Sequence, residues 1–442
     1  MKPKSLVQNQ DQLFKTRLSQ MINPNHELCK LAASIPWQTI EEECAEYFTV
    51  GVSRPPVPTR VVVGILILQN TYNFSDESVV STWVENVYWQ FFCGYDFFQQ
   101  DFPIHPTTLT RWRQRLGPEG LEKILKLSIS VAVSTKTIAP AELNQAITDT
   151  TVMPKAISYP VDAKLLKRSL ERIVKEVHKA HIPLKRTYLR VAKKALFEYQ
   201  KWRHCKRYRR AATCLGRLRT YVRKVLQELD PILETCPRDL FKEVAIGTRL
   251  VLQERNDTSK IYSCHEPHVS CIAKGKVAKP YEFGCKVCIL LTEKKGIILS
   301  SKAYPAAPYN GHLLKAAKKN GEENSSATIR RILVDLGFRK HDVDDAEVLI
   351  SRTKKLPRSL KKVLKRRQAI EPWIGHMKQD CKLGRCYLKG ILGDQMQASL
   401  SAIGHNFRII LRKLRIFYAL LQLWTLKLWN DHLQFKADQR YA

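Results

Sequence analysis

Apolar side chains recur at mixed spacings of three and four over residues 11–31 and again over 75–92, a pattern that predicts packed amphipathic helices. Strand-like alternation is scarce before residue 140. The stretch Arg54-Pro55-Pro56-Val57-Pro58 reads as a turn or linker ahead of an apolar helix over 59–70. Residues His105 to Gly117 predict a short helix. Thr107 or Thr108 caps it, Leu109, Trp112 and Leu116 share one face, and Gly117-Pro118 ends it. Arg111 and Arg115 fall together on the exposed side, with Arg113 apart. This resembles the second helix of a helix-turn-helix; the alternative is a basic surface helix without groove contact.

The period changes near residue 143. Ala146 to Val152 is short and β-branched, with Pro154 close behind, and predicts a strand carrying Asp149. A long helical block follows. Asp162 is placed to cap its first helix, and Leu215, Leu218, Val222, Val225 and Leu226 continue an apolar stripe. Strands are expected again at Lys260–Ser263, Tyr281–Leu291 and Gly296–Ser300, with Lys294-Lys295-Gly296 as a turn. Residues 311–320 and 325–331 look helical or loop-like. Ile332-Leu333-Val334-Asp335 reads as a buried strand ending in a carboxylate, with Gly337 turning the chain. Asp342, Asp344, Asp345 and Glu347 suit the acidic first turn of a helix. From about residue 357 the pattern is helical. The stripe Ile416, Leu420, Leu423 and Leu426 is a packing or dimer surface.

Composition narrows the partner. The chain has 442 residues, which at roughly 150 per domain suggests three domains, or two with a large insertion. Its 74 basic and 41 acidic residues give a formal charge of +33. Residues 161–230 hold 21 Lys/Arg against 6 Asp/Glu. Arg203, Lys206, Arg207, Arg209 and Arg210 are densest, with Trp202, Tyr199 and Tyr208 interleaved. So one-signed a run favours a surface that tracks phosphates over a merely solvated face, and a nucleic acid, such as double-stranded DNA, is the first partner to expect. A membrane is not expected. Val61–Leu68 and Ile416–Trp424 are about half of the roughly 20 apolar residues a span requires. The N-terminus lacks an apolar signal core, so a cytoplasmic protein with reduced cysteines is expected. Cys285 and Cys288 form a C-x2-C, and Cys264 to Cys271 includes two histidines. The odd offset of the first pair on a strand puts its thiols on opposite faces, which disfavours zinc.

Two acids at strand ends and one on a following helix can converge on a pair of divalent cations. Phosphodiester hydrolysis needs an activated oxygen nucleophile and a stabilised leaving oxygen. Two Mg²⁺ ions about 4 Å apart serve both needs, and carboxylates are their preferred ligands. Three motifs give this idea substance. The first is Ile147-Thr148-Asp149-Thr150-Thr151-Val152-Met153-Pro154-Lys155 with Pro160-Val161-Asp162-Ala163-Lys164 beyond it. The second is Val334-Asp335-Leu336-Gly337-Phe338-Arg339. The third is Arg366-Arg367-Gln368-Ala369-Ile370-Glu371-Pro372-Trp373-Ile374-Gly375-His376-Met377-Lys378, continuing through Leu383-Gly384-Arg385 and Tyr387-Leu388-Lys389-Gly390 to Gly404-His405-Asn406-Phe407-Arg408. Together they resemble the DDE transposases of bacterial insertion sequences, in the insertion-sequence-five family. Residues 257–284, including Cys271 to Lys276, and the Thr108–Arg113 stretch resemble the same branch.

The resemblance implies an α/β fold: an RNase H-like mixed-sheet catalytic core over 141–430, a helical DNA-binding domain over 1–140, and a basic helical insertion over 160–250. It implies that Asp149, Asp335 and Glu371 bind Mg²⁺, with Mn²⁺ as an alternative. It further implies cleavage at the terminal inverted repeats of an insertion sequence and joining of the freed 3′-hydroxyl to target DNA. The family signature around the third acid is Tyr-x2-Arg-x3-Glu-x6-Lys. Arg367, Glu371 and Lys378 match it, while Leu364 stands at the tyrosine position. On a continuous helix these three share a face, which suits Arg367 and Lys378 to hold phosphates beside the metal and lets Gly375 admit a close backbone. Pro372 points instead to a helix start or kink near Glu371. Arg111, Arg115, Arg207 and Arg210 are the further DNA contacts expected. A homo-oligomer handling two ends, associated with the nucleoid, completes the reading. The alternative is a catalytically silent DNA-binding repressor derived from such an enzyme.

Overall fold

A computed structural model describes residues 15–47, 57–254, 256–273, 280–351 and 363–441, the side chains of 417–441 excepted. Residues 11–14, Arg54–Pro56, Lys274–Lys276 and 357–362, and the side chains of Leu420, Leu423 and Leu426, lie outside what it describes.

The apolar periodicity of the first third forms seven helices among the described residues: α1 (Leu18–Met21), α2 (Glu27–Ser34), α3 (Trp37–Cys44), α4 (Thr59–Thr71), α5 (Asp76–Glu85), α6 (Val87–Phe92) and α7 (Pro106–Ser134). The run Val61–Leu68 is a core helix: every residue of it is buried. No helix among the described residues is long and apolar enough to cross a membrane. The α7 helix does not stop at Gly117-Pro118. Gly117 takes φ 59 and ψ −169, which kinks the chain, and helix resumes to Ser134. Glycine tolerates that left-handed φ, and Pro118 suits the first turn of the resumed helix, so a stop signal becomes a joint. The cap is His105, which accepts from the Thr107 amide, and neither threonine fills that role.

Then β1 (Gln145–Pro154) enters the sheet, and the chain leaves it for four helices: α8 (Asp162–Lys179), α9 (Leu189–His204), α10 (Tyr208–Leu229) and α11 (Arg238–Leu252). Val161 is the N-cap of α8, and Asp162 is its first residue without a capping bond. These helices bury a core of their own, with Leu170, Ile173, Val222 and Val225 at its centre. Each such side chain contributes about 2 kcal/mol on burial. The chain returns through β2 (Ser270–Ala273), β3 (Tyr281–Thr292) and β4 (Ile298–Tyr304), then α12 (Gly311–Ser325), β5 (Arg331–Val334), β6 (Glu347–Ile350), α13 (Ile370–Asp380) and α14 (Gly390–Tyr441).

The expected strand at Lys260–Ser263 is irregular chain instead. Its Ile261 joins the core of the four helices. The acids after Asp335 do not open a helix: Glu347 begins β6, and Asp345 pairs with Lys318 at 2.7 Å.

The sheet runs β2-β3-β1-β5-β6, with β4 also on β3. β1 pairs antiparallel with β3 and parallel with β5, so the sheet is mixed. Buried centrally, β3 reads as a near-continuous apolar run, Ile289, Leu290 and Leu291 being fully buried. Gly284 is required where β3 crosses β1: a Cβ there would lie 2.0 Å from the Met153 carbonyl oxygen. Cys285 and Cys288 are buried free thiols. Burial raises the thiol pKa of Cys288 to about 12.

Candidate active site

Register brings the first two acids together. Gln145, Ala146 and Ile147 pair with Arg331, Ile332 and Leu333. Two residues further in the same register, Asp149 on β1 stands beside Asp335, the residue that ends β5. Asp335 Oδ1 accepts the Gly337 amide at 2.9 Å, which turns the chain sharply and fixes the carboxylate. Glu371 is the second residue of α13, and Pro372 lies within its first turn, where a missing N–H costs little. Arg367 sits on the 3₁₀ turn just before, Arg366–Ala369.

The Arg367 guanidinium joins all three acids. Its Nη2 lies 2.7 Å from Asp149 Oδ2 and 3.9 Å from Asp335 Oδ2, and its Nη1 lies 3.8 Å from Glu371 Oε1. The Asp149 and Arg367 side chains are 15% and 16% exposed, whereas Glu371 is 68% exposed. So Asp149 and Arg367 form the buried floor and Glu371 the open rim. Asp149 Oδ1 also accepts the Thr150 amide at 2.7 Å. Burial nevertheless lifts the Asp149 carboxyl above its ordinary pKa; Arg367 and the Thr150 amide oppose that rise, and Asp335 adds to it. Such a carboxylate requires a cation nearby. No group of three His, Cys, Asp or Glu close enough to hold a metal occurs among the described residues. Here one guanidinium stands among the acids. The donor set is all carboxylate oxygen, two members on rigid strands and one on a helix, which is the chemistry a hard divalent cation takes. The donor chemistry of Asp149, Asp335 and Glu371 suits such an ion, although the three are not close enough together here to form a site.

Among the described residues, Arg111, Arg115, Arg207 and Arg210 make no ion pair with the three acids. Lys378 is half-buried, two turns along α13. A Cβ at Gly375 would meet nothing within 4 Å, so no backbone approaches closely there. Arg111 and Arg115 are exposed on α7, while Arg113 between them is buried against Asp76. Arg207 and Arg210 are exposed at the α9–α10 turn, 5.6 and 4.8 Å from the Trp202 ring.

Two polar groups near the acids left no mark in the sequence pattern. Lys286 Nζ and Thr150 Oγ1 both donate to Asn310 Oδ1, at 2.9 and 3.2 Å. Beyond the end of β1, Lys155 Nζ lies 2.6 Å from Asp394 and 3.3 Å from Glu266, and His268 lies 3.0 Å from Asp394. Both clusters join residues far apart in the chain, so no local spacing could reveal them. His268 is thus a hydrogen-bonded partner of carboxylates, as is His405 of a carbonyl, Gly296 O at 3.1 Å.

Two family models match the chain. One described as "Transposase domain (DUF772)" covers residues 16–115, and one described as "Transposase DDE domain" covers 337–411. A protein of Rhizobium meliloti, described as an uncharacterized protein, ORF8 in the nfe locus, is 41% identical over 208 residues. That span is 47% of this chain and all of the relative. The chain belongs to the family of that relative, and two of its segments match transposase-domain models. No solved structure matches. The first transposase domain spans α1–α6 and the part of α7 before its kink. The second contains Glu371 and Lys378 and begins two residues after Asp335.

Proposed function

We propose that this protein is a DDE transposase of the insertion-sequence-five family, built on an RNase H-like core and working as a homo-oligomer in the bacterial cytoplasm. In this reading it binds the terminal inverted repeats of its element, cleaves there in a Mg²⁺-dependent step, and joins the 3′-hydroxyl ends to target DNA. The observation that carries the proposal is the convergence of Asp149, Asp335 and Glu371 on one cation, Arg367, at the junction of β1, β5 and α13.

Asp149, Asp335 and Glu371 would hold the metal. When bound, a divalent cation supplies Lewis acidity that activates an oxygen nucleophile for attack on a phosphodiester. The protein's own residues do the rest. Arg367 holds the acid trio together; were a cation to take its place there, its guanidinium would be free to pair with a phosphate oxygen, a pairing for which its planar fork is suited. Lys378 lies on the same helix and adds charge along the strand. Burial of Asp149 keeps the carboxylate environment poorly solvated, which strengthens every charge interaction made there. Attack by an activated oxygen requires no covalent protein–DNA intermediate, which distinguishes this chemistry from a serine or tyrosine recombinase. Arg111, Arg115, Arg207 and Arg210, all exposed, grip the DNA backbone.

The test is nicking of a supercoiled plasmid that carries the gene with its flanking DNA, with Mg²⁺ and then with chelator, and with Asp149→Ala as control. Mg²⁺-dependent nicks at the element ends by wild type alone support the proposal. DNA binding with equal silence in wild type and mutant refutes it and favours a repressor.

A further inference from the structure

A crevice of about 1020 Å³ separates the N-terminal helices from the segment after α13. One wall comes from the end of α4, the start of α5 and the kink of α7. It presents the exposed amides of Asn73 and Gln114, with Gln69 and Asn70 buried behind them and the carboxylates of Asp76 and Glu77 beside them. The facing wall is apolar, with Leu392, Met396 and Leu400 in one stripe at helical spacing on α14 and Leu388 beside them. Lys382 and Lys389 add positive charge, while Arg113 is held by Asp76. Arg113 is 7% exposed; its Nη atoms donate to Gln69, Asp76 and Thr110, and its Nε alone has no partner among the described residues. At the mouth, Tyr387 and Leu392 are 71% and 66% exposed. The Arg385 guanidinium lies 5.5 Å from the Tyr387 ring.

We propose that this crevice takes an unpaired nucleotide of the bound DNA strand. A nucleobase has two apolar faces and an edge of mixed donors and acceptors. The apolar stripe fits the faces, the amides fit the edge, and the cations fit the phosphate. Position agrees as well. Glu371 opens α13, and Lys382 lies two residues past its end. At 1.5 Å per residue the crevice is about 15 Å from the acids along the helix axis. Duplex DNA rises about 3.4 Å per base pair, so a nucleotide four or five steps from the cleaved bond reaches it. Lys382 supports the assignment. Burial lowers its amine to about 8, against the pull of Asp76, so an arriving phosphate would restore a charge that the fold alone disfavours.

The inference rests on the protein being a DNA enzyme, and its test is independent of nicking. Full-length protein is titrated by fluorescence anisotropy with a blunt duplex and with the same duplex bearing a single-stranded 3′ extension. Stacking of one base is worth about 1–3 kcal/mol, so wild type should prefer the extended duplex about tenfold. Tyr387→Ala with Leu392→Ala on one wall, and Gln114→Ala on the other, should each erase most of that preference and leave blunt-duplex affinity unchanged. All three side chains are exposed, so the fold is kept. The extended duplex should also protect Lys382 from acylation. No preference in wild type, or the same preference in both variants, overturns the crevice even if the enzyme nicks. A wall-dependent preference in a protein that never nicks keeps the crevice and defeats the transposase reading. Acylation of Lys382 at the same rate with and without the extended duplex would also overturn it.

Discussion

Replacing Arg367 by Gln isolates the electrostatics of the acid trio. The pair that matters is Asp149–Arg367, at 2.7 Å with both side chains about one-sixth exposed. Breaking a buried pair by removing one partner costs about 3–5 kcal/mol. The contacts to Asp335 and Glu371, at 3.9 and 3.8 Å, are more exposed and contribute a few tenths each. The stranded Asp149 has an escape, because it can take up a proton. For an ordinary carboxyl that costs about 5 kcal/mol at pH 7.5 but only about 1.5 kcal/mol at pH 5. The lower figure caps the damage. The loss should therefore be about 3 kcal/mol at pH 7.5 and at most about 1.5 kcal/mol at pH 5. The sign follows from the direction of the shift. Asp149 already titrates above its ordinary value, and losing Arg367 raises it further. A raised acid favours the folded state at low pH and loses that contribution as pH rises through the folded pKa. Urea unfolding of wild type and Arg367→Gln at the two pH values measures this. Equal losses at both, or a larger loss at pH 5, refute the reasoning. Millimolar Mg²⁺ should recover part of the loss at pH 7.5, since an ion can take the place of the missing guanidinium.

Four further outcomes are expected. Asp335→Asn should lower Mg²⁺-dependent nicking at least about a hundredfold with DNA affinity unchanged, and retained cleavage would remove Asp335 from the site. His405 is fully enclosed and held neutral, its pKa lowered to about 4 chiefly by burial, so stability should fall by up to about 3 kcal/mol from pH 6.5 to 4. His405→Gln should flatten that slope in acid titration of unfolding; an unchanged slope would place the proton elsewhere. Gly284→Ala forces a methyl against the Met153 carbonyl and should cost about 3 kcal/mol or more in thermal unfolding; an unchanged melting temperature would show that the two strands can part there. Arg207→Ala with Arg210→Ala should lower the log–log salt slope of duplex binding by about 2, and an unaltered slope would mean that neither touches phosphate.

Wherever neighbours in sequence decide the outcome, the chain could be read directly. The strand bearing Asp149, the buried strand leading to Asp335 and the helix bearing Glu371 all carry their pattern within ten residues or so. The placement of Arg113 could not be read that way. Its neighbours Arg111 and Arg115 are exposed, yet Arg113 is buried because Asp76, 37 positions earlier, folds against it at 2.9 Å. The failure at Lys260–Ser263 has the same origin. The β-like composition is real, but Ile261 is claimed by the core of the four helices. Gly117-Pro118 misled in another way. Each residue signals a helix end, and together they form a kink, because proline is well tolerated where a new helix begins. The meeting of Asp149 and Asp335 depends on strand order and register, which local periodicity does not encode; only the resemblance to a known family pointed to it.

The helical block and the acids share a strand, and that bears on how DNA would be presented. The block leaves the sheet just after Pro154, at the far end of the strand that carries Asp149. Were the exit a loose tether, the basic tip around Trp202 could swing and its grip would not fix a phosphate over the acids. The exit is instead pinned. Lys155 is 6% exposed and bonded to Asp394 of α14 and to Glu266 on the returning chain, and His268 closes the ring to Asp394. Hydrogen bonds from His268 and Lys155 hold the Asp394 carboxyl below its usual range against burial, so the charges stay on near neutral pH. Swinging the block means exposing or separating that set, at about 3–5 kcal/mol for one broken partner. Thermal energy is about 0.6 kcal/mol, so such excursions are rare. The tip and the acids accordingly behave as parts of one frame, and the movable element at the site is the Arg367 side chain rather than the helical block.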